Sequence, residues 1–223
     1  MMRWLPENIS TYGGDIDALL SLIYSLTVFW FFLTLGLIGL FLFIYRRREG
    51  RRAAYVRGER PAEAAWILIP AAIVLVLDLW IDHRGADAWA KVKGRIPPTA
   101  YRVRVTGKQF NWEFLYPGPD GKFGTPDDLK LDNELHVPAN QVVHGTLTSK
   151  DVIHNFFLPN VRYKQDALPG REVEFWFQAT KPGRYEIPCA ELCGFGHSGM
   201  IGALIVHTPQ DYQQWVKEHW PSQ

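Results

Sequence analysis

Apolar and polar positions are segregated along this chain. From Ala18 to Tyr45 the stretch ALLSLIYSLTVFWFFLTLGLIGLFLFIY carries no charge and shows no polar face. At about 1.5 Å per residue, a helix of that length exceeds the roughly 30 Å hydrocarbon core of a bilayer. A helix apolar on every side belongs in lipid or deep inside a large core. A cleaved signal peptide would place its basic residues before a shorter apolar region, with a small-residue cleavage site after it. Here the order is reversed: Arg3 alone precedes the stretch, and Arg46, Arg47 and Arg48 follow it. The pattern predicts a transmembrane helix over 18–45. A second apolar stretch, 62–82, is uncharged from Ala64 to Leu77 and has Trp66 and Trp80 near its ends, where interfacial aromatics belong.

Between the two stretches, in 46–61, Arg46–Arg48, Arg51, Arg52, Arg57 and Arg60 face only Glu49 and Glu59. A basic loop between two spans obeys the positive-inside rule. The loop is therefore expected in the cytoplasm and both termini on the opposite side. That side is the periplasm of a bacterial cytoplasmic membrane, the expected setting, or else the intermembrane space. Segment 1–17 is then an exoplasmic N-terminal segment. Glu63, at the mouth of the second span, reads from the residues alone as a hydrated interfacial side chain.

Beyond the second span the period changes. Segment 83–99 is polar, with Gly85, Gly94 and Pro97-Pro98, and reads as a linker. From 100 to 207, short strand-like runs are separated by turn signals. The runs are Tyr101–Thr106, Gln141–Ser149, Val152–Leu158, Glu172–Gln178, Arg184–Pro188 and Ile201–His207. No glycine-rich strand-to-helix turn appears, which argues against a nucleotide-binding α/β domain. Even spacing of short strands predicts a sandwich or Greek-key barrel. Thr208-Pro209-Gln210-Asp211 has the cap, the first-position proline and the acidic first turn of a helix. A short closing helix is expected over 208–223, packed through Tyr212 and Trp215.

Composition adds exclusions. The chain has 223 residues, 47% hydrophobic and 21% charged, with a formal net charge of +1. That balance is not disordered, and it offers no global field for nucleic acid. Two cysteines are too few for a disulfide scaffold. Both lie in Cys189-Ala-Glu-Leu-Cys193-Gly-Phe-Gly-His197-Ser-Gly-Met200, together with the only methionine beyond Met1 and Met2. Thiolates, an imidazole and a thioether form a soft donor set that suits copper, whereas zinc seldom takes thioether. A disulfide would close only a tiny loop and leave His197 and Met200 unexplained. One cysteine, one histidine and an axial methionine would make a mononuclear blue site. Two thiolates also permit two bridged coppers, and then a second histidine must come from elsewhere. His136, His144, His154, His207 and His219 are the candidates. His154, in Asp151-Val-Ile-His-Asn-Phe-Phe-Leu-Pro, has the dry neighbours that a redox site needs.

On these residues the chain resembles subunit II of the haem-copper oxidases, the cytochrome c oxidase subunit that carries the binuclear Cu(A) centre. The resemblance covers the hairpin, the DVIHNFFLP and KQDALPGR segments and the CAELCGFGHSGM loop. It implies a two-helix transmembrane hairpin, an all-β cupredoxin-like Greek-key domain and a short C-terminal helix. Cys189 and Cys193 would bridge two coppers. His154 and Met200 would serve one copper, and His197 with the Glu191 carbonyl the other. The Glu191 side chain would reach a magnesium ion shared with subunit I. Glu63, in Pro-Ala-Glu-Ala-Ala-Trp, would stand at the entrance of a proton path into subunit I. The implied activity is electron entry from a cytochrome c donor, then transfer to haem in subunit I for reduction of dioxygen to water coupled to proton translocation. Further membrane subunits are expected.

Two positions depart from the family pattern. Phe110 stands where the family has its electron-entry tryptophan, while Trp112 is retained, and the resemblance implies electron entry at Trp112 and Phe110. Lys150 stands where an acidic docking residue often precedes Asp151. These departures shift the expected donor from a soluble cytochrome c towards a membrane-attached or complex-bound c-type cytochrome. Cu(A)-containing nitric oxide reductase shares the loop and hairpin and is an alternative. A quinol oxidase subunit II would lack the cysteines. A copper chaperone or store would need exposed, exchangeable ligands. Asp120, Asp127 and Asp128, among glycines, read as an acidic surface turn before a calcium site.

Overall fold

The computed structural model describes residues 5–52, 55, 57–94, 96–99 and 101–220. Arg3, ahead of the first span, and residues 221–223 of the segment expected to form the closing helix lie outside them. The chain forms two compact units, one comprising Asp17–Ala88 and the other joining the residues up to Ile16 to those from Trp89 onward.

The first unit consists of two long helices, α1 (Gly13–Ile44) and α2 (Pro61–Lys93), apart from their outer ends. Both are long and apolar enough to cross a bilayer. Their large side chains, Phe32, Leu42, Trp66 and Val76 among them, stand exposed, as lipid-facing positions do. Asp78 lines a cleft of about 660 Å³ between the helices, beside Thr27, Trp30 and Thr34.

Helix α2 corrects the linker expected over 83–99. It continues through Gly85 to Lys93 and ends where Gly94 N–H bonds the Ala90 carbonyl, shortly before Pro97. Ala86, Ala88, Ala90, Lys91 and Lys93 are good helix formers, and one interior glycine costs only about 1 kcal/mol. Polarity there marks departure from lipid, not loss of helix. In the second unit, Lys93 Nζ lies 2.9 Å from Tyr163 Oη and 2.5 Å from Gln165 Oε1.

The β-domain of the second unit contains β1 (Tyr101–Lys108), β2 (Asn111–Tyr116), β3 (Leu129–Asp132), β4 (Glu134–Pro138), β5 (Val142–Ser149), β6 (His154–Leu158), β7 (Tyr163–Ala167), β8 (Val173–Gln178), β9 (Gly183–Pro188) and β10 (Ile201–His207), then helix α3 (Pro209–His219). One sheet has the order β3-β2-β1-β5-β8, a second β4-β10-β9, and β6 pairs with β7. A bridge between Phe156 and Cys189 ties β6 to the end of β9. The core between the layers is aromatic. Phe156 packs on Trp112 at 5.2 Å between ring centroids and on Phe175 at 5.5 Å. Gly145 sits directly opposite Phe175, and a Cβ there would lie 2.0 Å from the ring. The missing side chain lets the ring cross the strand.

The N-terminal segment belongs to this core. Ile9 and Tyr12 are buried, Ile9 N–H bonds the Asn160 carbonyl, and Thr180 N–H bonds the Ile9 carbonyl. At the other end Thr208 caps α3 by accepting the Asp211 N–H. Trp215 then packs into a stack with His136 and His207, whose facing nitrogens lie 2.8 Å apart. Burial pushes His136 down to about 4, with His207 adding to the effect.

Candidate metal centre

The soft donors meet at one end of the sandwich. Strands β9 and β10 pair from Pro188 opposite Ile201, so residues 189–200 form the loop that joins them. Cys189 N–H bonds the Met200 carbonyl, which closes the loop at its neck. Ala190 N–H bonds the Asn155 carbonyl, which holds the loop to β6. A single turn, His197–Gly199, brings His197 back over Cys193.

The two sulfurs lie 3.9 Å apart. A disulfide needs about 2.05 Å, and both cysteines are free and buried. His154 Nδ1 lies 3.9 Å from Cys189 Sγ, and the Glu191 carbonyl oxygen 3.3 Å from the same sulfur. His197 Nδ1 lies 3.5 Å from Cys193 Sγ, and Met200 Sδ 3.8 Å from it. Each thiol therefore has its own imidazole nitrogen and one further donor. Burial, and behind it the neighbouring Cys189, push the Cys193 thiol up to about 11. The Cys193 thiol in this setting stays protonated until a cation displaces its proton. Two sulfurs, two imidazoles, a thioether and a carbonyl converging in a dry pocket fit a copper pair.

The histidine is aimed by a carboxylate that sequence reading passed over. Asp151 Oδ1 lies 2.8 Å from His154 Nε2. Burial works to raise the Asp151 pKa, but hydrogen bonds from the Gln109 N–H, His154 and the Val152 N–H hold it below the usual value. An ionised carboxylate only accepts, so Nε2 donates to Asp151, and Nδ1 is the nitrogen turned towards the Cys189 sulfur. Gln109 also donates its side-chain amide to the Cys193 carbonyl at 2.5 Å. Gly107 makes room for the imidazole: a Cβ there would lie 2.8 Å from the His154 ring.

Phe110 and Trp112 take different places. Phe110 is 38% exposed, and its ring lies against the backbone of Gly194 and Gly196. Trp112 is fully buried behind the centre, 5.9 Å from the His154 ring. Glu191 has an exposed side chain. Glu63 belongs to the first turn of α2, where it accepts the Arg60 N–H at 3.4 Å. His144 pairs with Glu174 across the β5–β8 ladder, while His136, His207 and His219 surround Trp215. Among the described residues, His154, Cys189 and Cys193 form the one group of His, Cys or carboxylate ligands close enough to share an ion. The carboxylates of Asp120 and Asp128 instead accept N–H groups of their own turn, from Lys122 and Gly124.

Beside Trp112, Glu113 is nearly buried and takes Lys130 Nζ at 2.6 Å and Lys150 Nζ at 3.0 Å. Burial alone would raise its pKa, but these lysine hydrogen bonds outweigh it and bring the group from 4.5 to about 2. A depressed folded-state pKa gives stability that is complete above about pH 4.5 and is lost as the pH falls towards 2. With the lysines half-exposed and screened, the contribution is about 1–2 kcal/mol. Urea unfolding midpoints between pH 2 and 5 should therefore fall less steeply in Glu113→Gln than in the parent. Parallel curves would remove the clamp's role.

A family model described as the periplasmic domain of cytochrome c oxidase subunit II matches residues 101–207. Cytochrome c oxidase subunit 2 of Thermostichus vulcanus is 31% identical over 96% of this chain and 78% of its own length. The alternative cytochrome c oxidase subunit 2 of Bradyrhizobium diazoefficiens is 30% identical over 96% of this chain and 83% of its own. The solved periplasmic domain of cytochrome oxidase subunit II from Bradyrhizobium japonicum superposes with a TM-score of 0.50 at 36% identity, covering 56% of this chain and 96% of that one. Two apolar helices and a periplasmic-type β-domain make this a membrane protein with an outward-facing domain. With identity at this level running through hairpin and β-domain alike, the chain belongs to the cytochrome c oxidase subunit II family.

Proposed function

We propose that this chain is the electron-entry subunit of a respiratory terminal oxidase and holds a binuclear Cu(A) centre on Cys189, Cys193, His154, His197, Met200 and the Glu191 carbonyl. The observation that carries the reading is the pair of buried, unbridged sulfurs 3.9 Å apart, each with its own imidazole nitrogen. Bound there, a copper pair supplies uptake and release of one electron at a time. The protein's part is to keep the ligands still. Asp151 fixes the His154 ring, Gln109 holds the Cys193 carbonyl, and the Cys189–Met200 backbone bond closes the loop. Ligands that barely move between redox states keep reorganisation small. Burial of both cysteines and Met200 excludes water. Phe110, at the surface and touching the loop glycines, offers a way in.

The electron then passes to haem in subunit I, where dioxygen is reduced to water with proton translocation. The donor is a cytochrome c or a complex-bound c-type cytochrome. The Glu191 carboxylate supplies a ligand for a magnesium ion shared with subunit I, and Glu63 opens a proton path from the arginine-rich, cytoplasmic side. Both termini face the periplasm.

The test is to load the purified full-length chain with copper. A purple protein whose paramagnetic spectrum shows one electron shared by two equivalent coppers is the expected result. A colourless protein that yields Cu(I) to chelators would indicate copper delivery or storage, and a single bound ion would overturn the binuclear assignment.

A further inference from the structure

A second charged cluster adjoins the centre and takes no part in holding metal. Lys108, Lys130 and Lys150 place their ammonium groups 3.4, 2.6 and 3.0 Å from Glu113. The carboxylate lies beneath and the cations above: Glu113 is 11% exposed, Lys130 50% and Lys150 53%. A molecule arriving from solvent meets the ammonium groups first, and the nearer charge sets the sign of the local field. Asp132 is the exposed counter-charge, already bound to Asn111 and 3.7 Å from Lys108. Asp151, next to Lys150 in the chain and 31% exposed, keeps its negative charge under hydrogen bonds from Gln109, Val152 and His154, so it offsets part of the lysine field.

This cluster is joined to the aromatic entry point by backbone. Lys150 N–H bonds the Gly107 carbonyl, Asp151 takes the Gln109 N–H at 2.7 Å, and Phe110 follows Gln109. The Phe110 ring lies against Gly194 and Gly196, which flank Phe195, and Phe195 stands wholly in water. Exposed aromatics rimmed by charged side chains are the anatomy of a docking surface.

We propose that this rim docks the electron donor, and that the donor presents carboxylates around an apolar electron-transfer edge. The proposal rests on the electron-entry reading above and names the partner's chemistry. A lysine-rich donor would meet like charge at Lys130 and Lys150, whereas an acidic one is steered towards Phe110 and Phe195, where a dry contact lets the electron cross. In that step one electron leaves a ferrous donor haem, which becomes ferric, and the centre is reduced by one. No bond forms and no proton moves.

The experiment mixes the copper-loaded full-length chain in detergent with a lysine-rich ferrocytochrome c, and separately with the same cytochrome after succinylation, which converts its lysines to carboxylates. Reduction is followed by stopped flow across a range of salt. The succinylated form should react at least about 10-fold faster at low salt and slow as salt rises. In Lys130→Gln and Lys150→Gln that advantage should shrink several-fold. Salt dependence of the parent reads the same charges should either variant fold poorly. Faster reaction of the unmodified cytochrome would overturn the proposal, and so would equal rates indifferent to salt. Ascorbate with a small mediator serves as control: if it too fails to reduce the loaded chain, the electron-entry reading falls, and if it succeeds, only the docking chemistry is at stake.

Discussion

Serine at position 189 or at 193 should each abolish the shared-electron spectrum and leave no more than one copper bound per chain. The reason is geometric. Each sulfur is the neighbour of one imidazole, and the two sulfurs are neighbours of each other, so neither ligand half is complete without both. An alcohol oxygen is a hard, weak ligand for copper and does not ionise near neutral pH. The fold should survive, because serine is smaller than cysteine and the loop is held by backbone bonds from Cys189 N–H to Met200 and from Ala190 N–H to Asn155. Copper analysis, optical and paramagnetic spectra, and a urea midpoint on each variant together separate loss of ligand from loss of structure. A Cys193→Ser protein that keeps two coppers and an unchanged spectrum would show that the sulfurs do not bridge. A spectrum lost together with the fold would instead place the cysteines among the core packing groups.

Much of this site was legible because its chemistry is local. Cys189, Cys193, His197 and Met200 fall in one loop, and soft donors at that spacing have few other uses. The parts that stayed hidden depend on distant contacts. Gln109 reaches Asp151 across 42 positions and Cys193 across 84, and neither residue type announces such a partner. The same holds for Ile9 and Tyr12, which look like an entry segment and lie in the core. Strand β2, Asn111–Tyr116, buries residues in succession where alternation would have revealed it, and β7, Tyr163–Ala167, carries three polar residues in a row. The hairpin was plain because lipid-facing helices leave no face polar. Its far boundary was not, because polarity and a glycine at 85 mimic a linker while alanines continue the helix.

Trp112→Ala should cost about 3–5 kcal/mol of stability, the range for deleting a fully buried aromatic. Trp112 has no exposure, packs edge-on against Phe156 and touches the imidazole of His154, so its removal opens a cavity between the aromatic core and the metal ligand. A loosened His154 should also release copper faster to a chelator, although no ligand atom has been changed. Trp112→Phe separates the two roles open to this residue. The indole Nε1 is buried with no hydrogen-bond acceptor among the described residues. Phenylalanine therefore removes an unmet donor while keeping most of the packing, and should lose no more than about 1.5 kcal/mol. If Trp112 acts by packing, the phenylalanine variant should take electrons from a cytochrome donor within a few-fold of the parent rate, while Phe110→Ala, at the surface, slows entry at unchanged stability. A phenylalanine variant that folds normally, retains its copper and yet accepts electrons a hundred-fold more slowly would place Trp112 in the electron's route.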